Sequence, residues 1–179
     1  MCELRKPQTD ALLQPYAIEH DARTVVWLNS SDLQATFGLR RNVTPESHRA
    51  WVDAATDTHI FAIVDVQRKH LGNVLLKISE RHLSAYFQIY IGDWSERGQG
   101  LGARALAETL RRAFCEMGLH RVWLHTFADN IRAEALYEKF GFKREGIERD
   151  ALLVGDQFLS QTRWSLLRQE WLAVEESER

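Results

Sequence analysis

The chain has 179 residues, 45% of them hydrophobic and 27% charged, a balance that suits one soluble globular domain with a sizeable core. Its formal charge of -2 excludes a general electrostatic hold on nucleic acid or an anionic membrane, so an anionic ligand must be gripped by local groups. No apolar run reaches transmembrane length and no basic start precedes an apolar signal core, which makes the cytoplasm the expected compartment and leaves no role for a membrane or nucleic-acid partner.

In chain order, residues 11–18 predict a first strand, which Pro15 pushes toward a sheet edge. Residues 21–29 predict a helix with Val25, Val26 and Leu28 as apolar contacts; the polar Ser30-Ser31-Asp32 opens another turn, and residues 37–42 read as a loop. Thr44-Pro45-Glu46 is a helix start, with a capping hydroxyl, proline at the first helical position and an acid near the positive end, and the helix is expected to run to Ala55. Residues 60–66 and 71–79 are β-like runs on either side of the polar Gln67-Arg68-Lys69-His70, the pattern of an antiparallel hairpin. A further alternating run spans 84–91.

The run Arg97-Gly98-Gln99-Gly100-Leu101-Gly102 follows that strand and leads into a helical pattern over 101–117, stopped by Gly118. Strand, glycine turn and helix in this order suit a diphosphate. Gly98, Gly100 and Gly102 let backbone approach a bulky anion, while Leu101, Gly102 and Ala103 offer N–H groups at the positive end of the helix. Next come a strand over 121–127, a helix over 131–140 and two strands over 142–153 and 157–167; only 175–179 is polar enough to fray. Hairpins first and crossover helices later imply an α/β chain with a mixed sheet flanked by helices. Cys2 and Cys115 suggest no disulfide framework, Cys115 reads as a buried thiol, and no spacing of His, Cys and acids supports a metal site.

The helix near 131–140 carries the second block, Asn130-Ile131-Arg132-Ala133-Glu134-Ala135-Leu136-Tyr137, closed by Gly141-Phe142. Together the two blocks resemble the GNAT superfamily of acyl-coenzyme A-dependent N-acetyltransferases. Arg97, Gly100 and Gly102 fill its cofactor turn, Arg/Gln-x-x-Gly-x-Gly/Ala; Asn130, Ala133, Tyr137 and Gly141-Phe142 fill its second motif. Tyr90-Ile91-Gly92-Asp93, residues 145–149 and residues 165–171 look like the branch that contains ribosomal-protein alanine and serine N-acetyltransferases. Trp27-Leu28-Asn29 is similar to the opening of sugar-nucleotide N-acetyltransferases.

The resemblance implies a mostly antiparallel sheet of six to seven strands with a V-shaped splay between the fourth and fifth, which receives the thioester arm. It also implies one acetyltransferase domain over 1–179: a first strand and arm over 1–20, substrate-side helices over 21–58, sheet and cofactor turn over 60–127, and a closing helix and strands over 130–171. Acetyl-CoA is the implied cofactor. Ile89, Tyr90 and Ile91 would pair with its pantetheine arm, the turn from Arg97 through Gln99 to Ala103 would hold its diphosphate, and Asn130 would position it.

Tyr137 matches the position of the general acid, and the competing reading is a core tyrosine with a satisfied hydroxyl. Gln88 stands where many relatives carry a carboxylate base. His125 on the opposing strand has a suitable ordinary pKa, though a histidine in an apolar strand is more often structural, and a water chain serves equally well. Specificity in the superfamily comes from the early helices and loop, which nominates Trp27, Asn29, Phe37, Arg40 and Arg41, with Gln88 beside them.

The implied reaction is direct attack by the acceptor amine on acetyl-CoA in a ternary complex, with no metal and no covalent enzyme intermediate. The acceptor stays open among an amino sugar nucleotide, a protein N-terminus and a small amine such as an amino acid, a polyamine or an antibiotic. A non-catalytic acyl-CoA sensor is the alternative that the missing carboxylate keeps alive. If the chain self-associates, a homodimer is the commonest closed assembly.

Overall fold

A computed structural model describes residues 12–39, 42–92, 95 and 98–177. Seven strands form one sheet in the order β1-β2-β3-β4-β5-β7-β6: β1 Leu12–Pro15, β2 Thr58–Val64, β3 His70–Ser79, β4 Ser84–Ile91, β5 Arg121–Phe127, β6 Lys143–Val154 and β7 Gln157–Leu167. Neighbours run antiparallel except β4 and β5, which are parallel. Helices α1 Asp21–Leu28, α2 Ser31–Phe37 and α3 Pro45–Ala54 lie between β1 and β2. A fourth, α4 Leu101–Arg111, makes the crossover from β4 to β5; α5 Ile131–Lys139 follows β5, and α6 Arg168–Ser177 follows β7. This is the mixed, mostly antiparallel, seven-stranded α/β architecture that the sequence led us to expect.

Side chains on successive strand residues point to opposite faces, and that alternation sorts the sheet into two apolar layers. On one face Phe61, Ile63, Val74, Leu76, Phe87 and Val122 meet Leu106 and Leu110 of α4, Tyr137 of α5 and Trp171 of α6. On the other, Tyr90 and Leu75 meet Trp27 of α1 and Leu33 and Phe37 of α2. Trp164 is buried in the larger layer, and its indole N–H donates to Thr126 Oγ1 at 3.1 Å.

Local chemistry explains most helix ends. Thr44 Oγ1 accepts from Ser47 N and Ser47 Oγ accepts from Thr44 N, a reciprocal cap in front of α3. Ser30 Oγ accepts from Leu33 N, so the polar break expected to open a turn caps a full helix, α2. The helix expected to reach Met117 is α-helical only to Arg111 and closes through a π turn, Arg112–Glu116. There Glu108 takes bonds from Arg111 and Arg112, and Arg112 Nη2 also donates to Leu13 O at 2.9 Å, stitching β1 to α4.

Two expectations are corrected. Val26 points outward, because the turn of α1 gives the buried positions to Val25 and Trp27. Residues beyond 167, for which no element was predicted, form α6; Trp171 supplies its buried contact and Glu170 accepts from Leu167 N at 3.0 Å. Cys115 is disulfide-bonded rather than a free thiol.

A buried polar network fastens α1 to the sheet. Asn73 Nδ2 donates to Thr24 Oγ1 at 2.9 Å and to Tyr90 OH at 2.7 Å, while Asn73 Oδ1 and Gly72 O sit 2.9 and 3.0 Å from His70 Nε2. Both of those oxygens accept, so Nε2 carries the proton, and Nδ1 is buried with no hydrogen-bond partner. Protonating Nδ1 would strand a charged N–H there. Burial, opposed by the bond to Asn73 and helped by His20, accordingly lowers the His70 pKa to about 4.

Two outcomes follow from these contacts. A methyl group at Gly92 would fall 2.0 Å from the Trp27 ring, so Gly92→Ala should cost about 1–3 kcal/mol, read from the urea unfolding midpoint. The unfolded His70 takes up its proton near 6.5 whereas the folded one resists until about 4. Its contribution to stability is therefore complete above pH 6.5 and is lost as pH falls toward 4, on the order of 1–3 kcal/mol. His70→Gln should flatten that limb of the stability–pH curve relative to the parent protein; identical slopes would remove His70 as the cause.

Candidate active site

The parallel pairing of β4 with β5 is short. Only Ser84, Ala85 and Tyr86 register with Arg121, Val122 and Trp123; beyond them β4 stays with β3 and β5 stays with β7. The two strands separate at this point. From Phe87 to Tyr90, β4 registers with no residue of β5.

A groove of about 650 Å³ occupies the gap, walled by Gln88, Ile89, Tyr90 and Ile91 on one side and by His125, Thr126 and Phe127 on the other. The glycine turn closes one end. Gly98 and Gly100 sit in the left-handed region, at φ 89° and 76°, a backbone that L side chains rarely adopt. Gln99 donates to Ser95 O at 2.9 Å and so braces the turn with its side chain.

The first intrahelical bond of α4 runs from Arg104 N to Gly100 O. The N–H groups of Leu101, Gly102 and Ala103 therefore precede the helical ladder, at its positive end and on the groove wall. Arg97, expected in this turn, lies outside the described residues. Arg132 and Lys139 of α5 also line the groove, and the Arg132 guanidinium reaches within 3.3 Å of where a Gly98 side chain would begin. The sequence reading gave neither a role. Their spacing of seven, which puts both on one helix face, was the available signal.

Asn130 caps α5, its Oδ1 accepting from Ala133 N at 3.1 Å, and its side chain also reaches the groove. One face further along, Tyr137 is 7% exposed, edge-on to Phe87 and Phe142, and lines the groove. Burial, with a smaller push from Tyr86, drives its pKa up, so the phenol keeps its proton at any working pH. Across the gap, His125 Nε2 lies 3.1 Å from Glu148 Oε2 and 3.4 Å from Arg163 Nε, between the rings of Tyr86 and Trp123. That nitrogen is held by the β6–β7 hairpin.

A second cavity of about 340 Å³ opens on the α1–α3 side of the sheet. It shares Phe37, Gln88 and Tyr90 with the groove, so these three residues form the partition between the two spaces. Of the other residues expected at the acceptor side, Trp27 packs behind this wall, against Gly92 and His70. Asn29 bonds both the N–H and the carbonyl of Val43, at 2.8 Å each, and so fixes the end of the loop over the cavity. Arg40 and Arg41 lie outside the described residues.

The far wall was not anticipated. Tyr16 OH meets His48 Nε2 at 2.8 Å, and Asp21 faces that nitrogen at 3.4 Å and Arg49 at 3.3 Å. Sequence spacing held no signal for it, because β1, α1 and α3 come together only in the folded chain. Among the described residues no group of three or more His, Cys, Asp or Glu could hold a metal, and no helix is long and apolar enough to cross a membrane.

The comparisons agree with this geometry. Spermidine N(1)-acetyltransferase of Vibrio cholerae serotype O1 is 30% identical over 113 residues, 63% of this chain and 65% of that one. The enzyme of the same name from Escherichia coli K12 is 28% identical over 161 residues, 82% and 86% of the two chains. The chain thus spans just under two thirds of the first relative's length and most of the second's. A crystal structure of spermidine N-acetyltransferase from Vibrio cholerae with CoA and spermine shares the fold, with a TM-score of 0.85 over 91% of this chain and 98% of that one, at 22% identity. The model of the acetyltransferase (GNAT) domain matches residues 11–143. With that match on a splayed sheet and its glycine turn, the chain belongs to the GNAT acetyltransferase family.

Proposed function

We propose that the chain moves the acetyl group of acetyl-CoA to a primary amine by direct attack within a ternary complex. The observation that carries this reading is the meeting of two cavities at Phe37, Gln88 and Tyr90, one long and ending in an anion-suited turn, the other compact and on the opposite face. Acetyl-CoA in the groove would put its diphosphate on the N–H groups of 101–103, with Arg132 beside them, and its pantetheine along residues 89–91. Asn130 would hold the same ligand from α5. The names of the relatives support a small amine as acceptor.

The amine nitrogen attacks the thioester carbonyl, the new C–N bond forms, and the C–S bond breaks. Negative charge gathers first on the carbonyl oxygen, which a β4 N–H facing the gap stabilises, and then on sulfur. Tyr137 donates its proton to the sulfur as the C–S bond breaks and regains one from solvent, which takes up the amine's proton. The proton that the new amide sheds leaves through water beside Gln88, an amide that can orient water but not accept a proton as a carboxylate would. His125, held by Glu148 and Arg163, shapes the β5 wall in this scheme.

Tyr137→Phe should lower turnover about a hundredfold while leaving acetyl-CoA affinity unchanged, measured by thiol release and by calorimetry. Unaltered turnover would remove the phenol from the chemistry. Arg132→Ala should weaken acetyl-CoA binding about tenfold with turnover at saturation preserved, the scale of one charge-assisted bond to phosphate. Acetyl-CoA bound without thiol release across a broad panel of amines would replace the transferase reading with an acyl-CoA-binding module.

A further inference from the structure

Resting on the acetyl-transfer reading, we infer that the second cavity takes an acceptor with a single primary amine on an uncharged, ring-sized body, and that it disfavours linear polyamines. Charge is the first reason. Among the described residues, no aspartate or glutamate lines the cavity. Asp21, behind the far wall, is buried, with its charge balanced by Arg49 at Oδ2 while Oδ1 lies 3.4 Å from His48 Nε2 without a hydrogen bond. A polyamine that offers one neutral amine to the thioester still brings further ammonium groups, each of which would lose water without gaining a counter-charge. The rings of Tyr16 and Trp51 offer cation–π attraction, which recovers only part of that loss.

Shape and hydrogen bonding point the same way. The floor crosses three strands in register, Gln88 beside Leu75 beside Ile60, so it spans about 10 Å from the partition to the far wall. Leu28, Leu39 and Val43 close over it, giving a compact apolar space rather than a trench for an extended chain. Its polar side chains are neutral, among them the Gln88 amide, the Tyr16 and Ser47 hydroxyls, and His48, whose pKa burial lowers. Such groups recognise hydroxyls, ethers or a ring face, and offer a second ammonium hydrogen-bond acceptors but no counter-charge. An aromatic ring and a hydroxylated sugar ring both satisfy this chemistry.

Calorimetry on the CoA-saturated protein tests the inference without requiring turnover, using 2-phenylethylamine, glucosamine, 1,4-diaminobutane and spermidine as probes. At least one ring amine should bind tenfold or more tightly than spermidine, and which one binds identifies the kind of ring. Equal or tighter binding of spermidine, or no binding by any of the four, overturns the inference. Thiol release from acetyl-CoA is read separately: selective binding of a ring amine without release would sink the transferase reading and leave the acceptor class standing. Ser47→Glu places a carboxylate on the cavity wall at the third position of α3, where a capping acid is well tolerated. It should shift the affinity ratio toward spermidine by about tenfold, and an unchanged ratio would count against charge as the discriminator.

Discussion

The early end of the ladder between β4 and β5 is the constraint on which the site depends. After three registered pairs the strands diverge, yet each keeps a full ladder with its outer neighbour, so the gap costs no collapse of the sheet. Backbone groups that would have paired across it are left facing a groove. The crossover through α4 then sets a helix start at the groove's end. In the proposed reaction, main chain alone would meet three needs of a thioester ligand: an anion site, a strand edge and a polarising N–H.

Side chains refine what the backbone provides. On the α4 face, Phe87 and Phe142 hold the Tyr137 ring edge-on and leave its hydroxyl at the groove. On the other face, Asn73 connects His70, Thr24 and Tyr90 in a network with every Asn73 polar group in use. Because Tyr90 belongs both to that network and to the partition between the cavities, the docking of α1 also positions the wall between them. In the proposed reaction that wall would separate cofactor from acceptor, so one tyrosine would couple stability to selectivity.

Much of this was legible before the structure. Strand alternation over 84–91 and 121–127 and the glycine turn placed the strands and the crossover, because each depends on local spacing, whereas the splay that makes the groove was implied only by the resemblance to the GNAT superfamily. The missed parts depend on contacts distant in sequence. Alpha-helix α6 holds mostly polar residues and is fixed by Trp171 in the core. The wall made by Tyr16, Asp21 and His48 unites three elements that no period links. Arg132 was passed over because the motif that contains it drew attention to Asn130 and Tyr137.

The two margins of the sheet deserve a last consequence. β1 contributes four residues and ends in Pro15, whose nitrogen has no hydrogen to offer a newcomer. β6 breaks register at two places, between Arg144 and Gly146 and between Glu148 and Leu152, and bears Lys143, Arg144, Glu145, Glu148 and Arg149 along its outer course. Among the described residues, neither rim presents the flat, uncharged template that another chain would need to continue the weave, so side-chain surfaces would be the route by which copies touch.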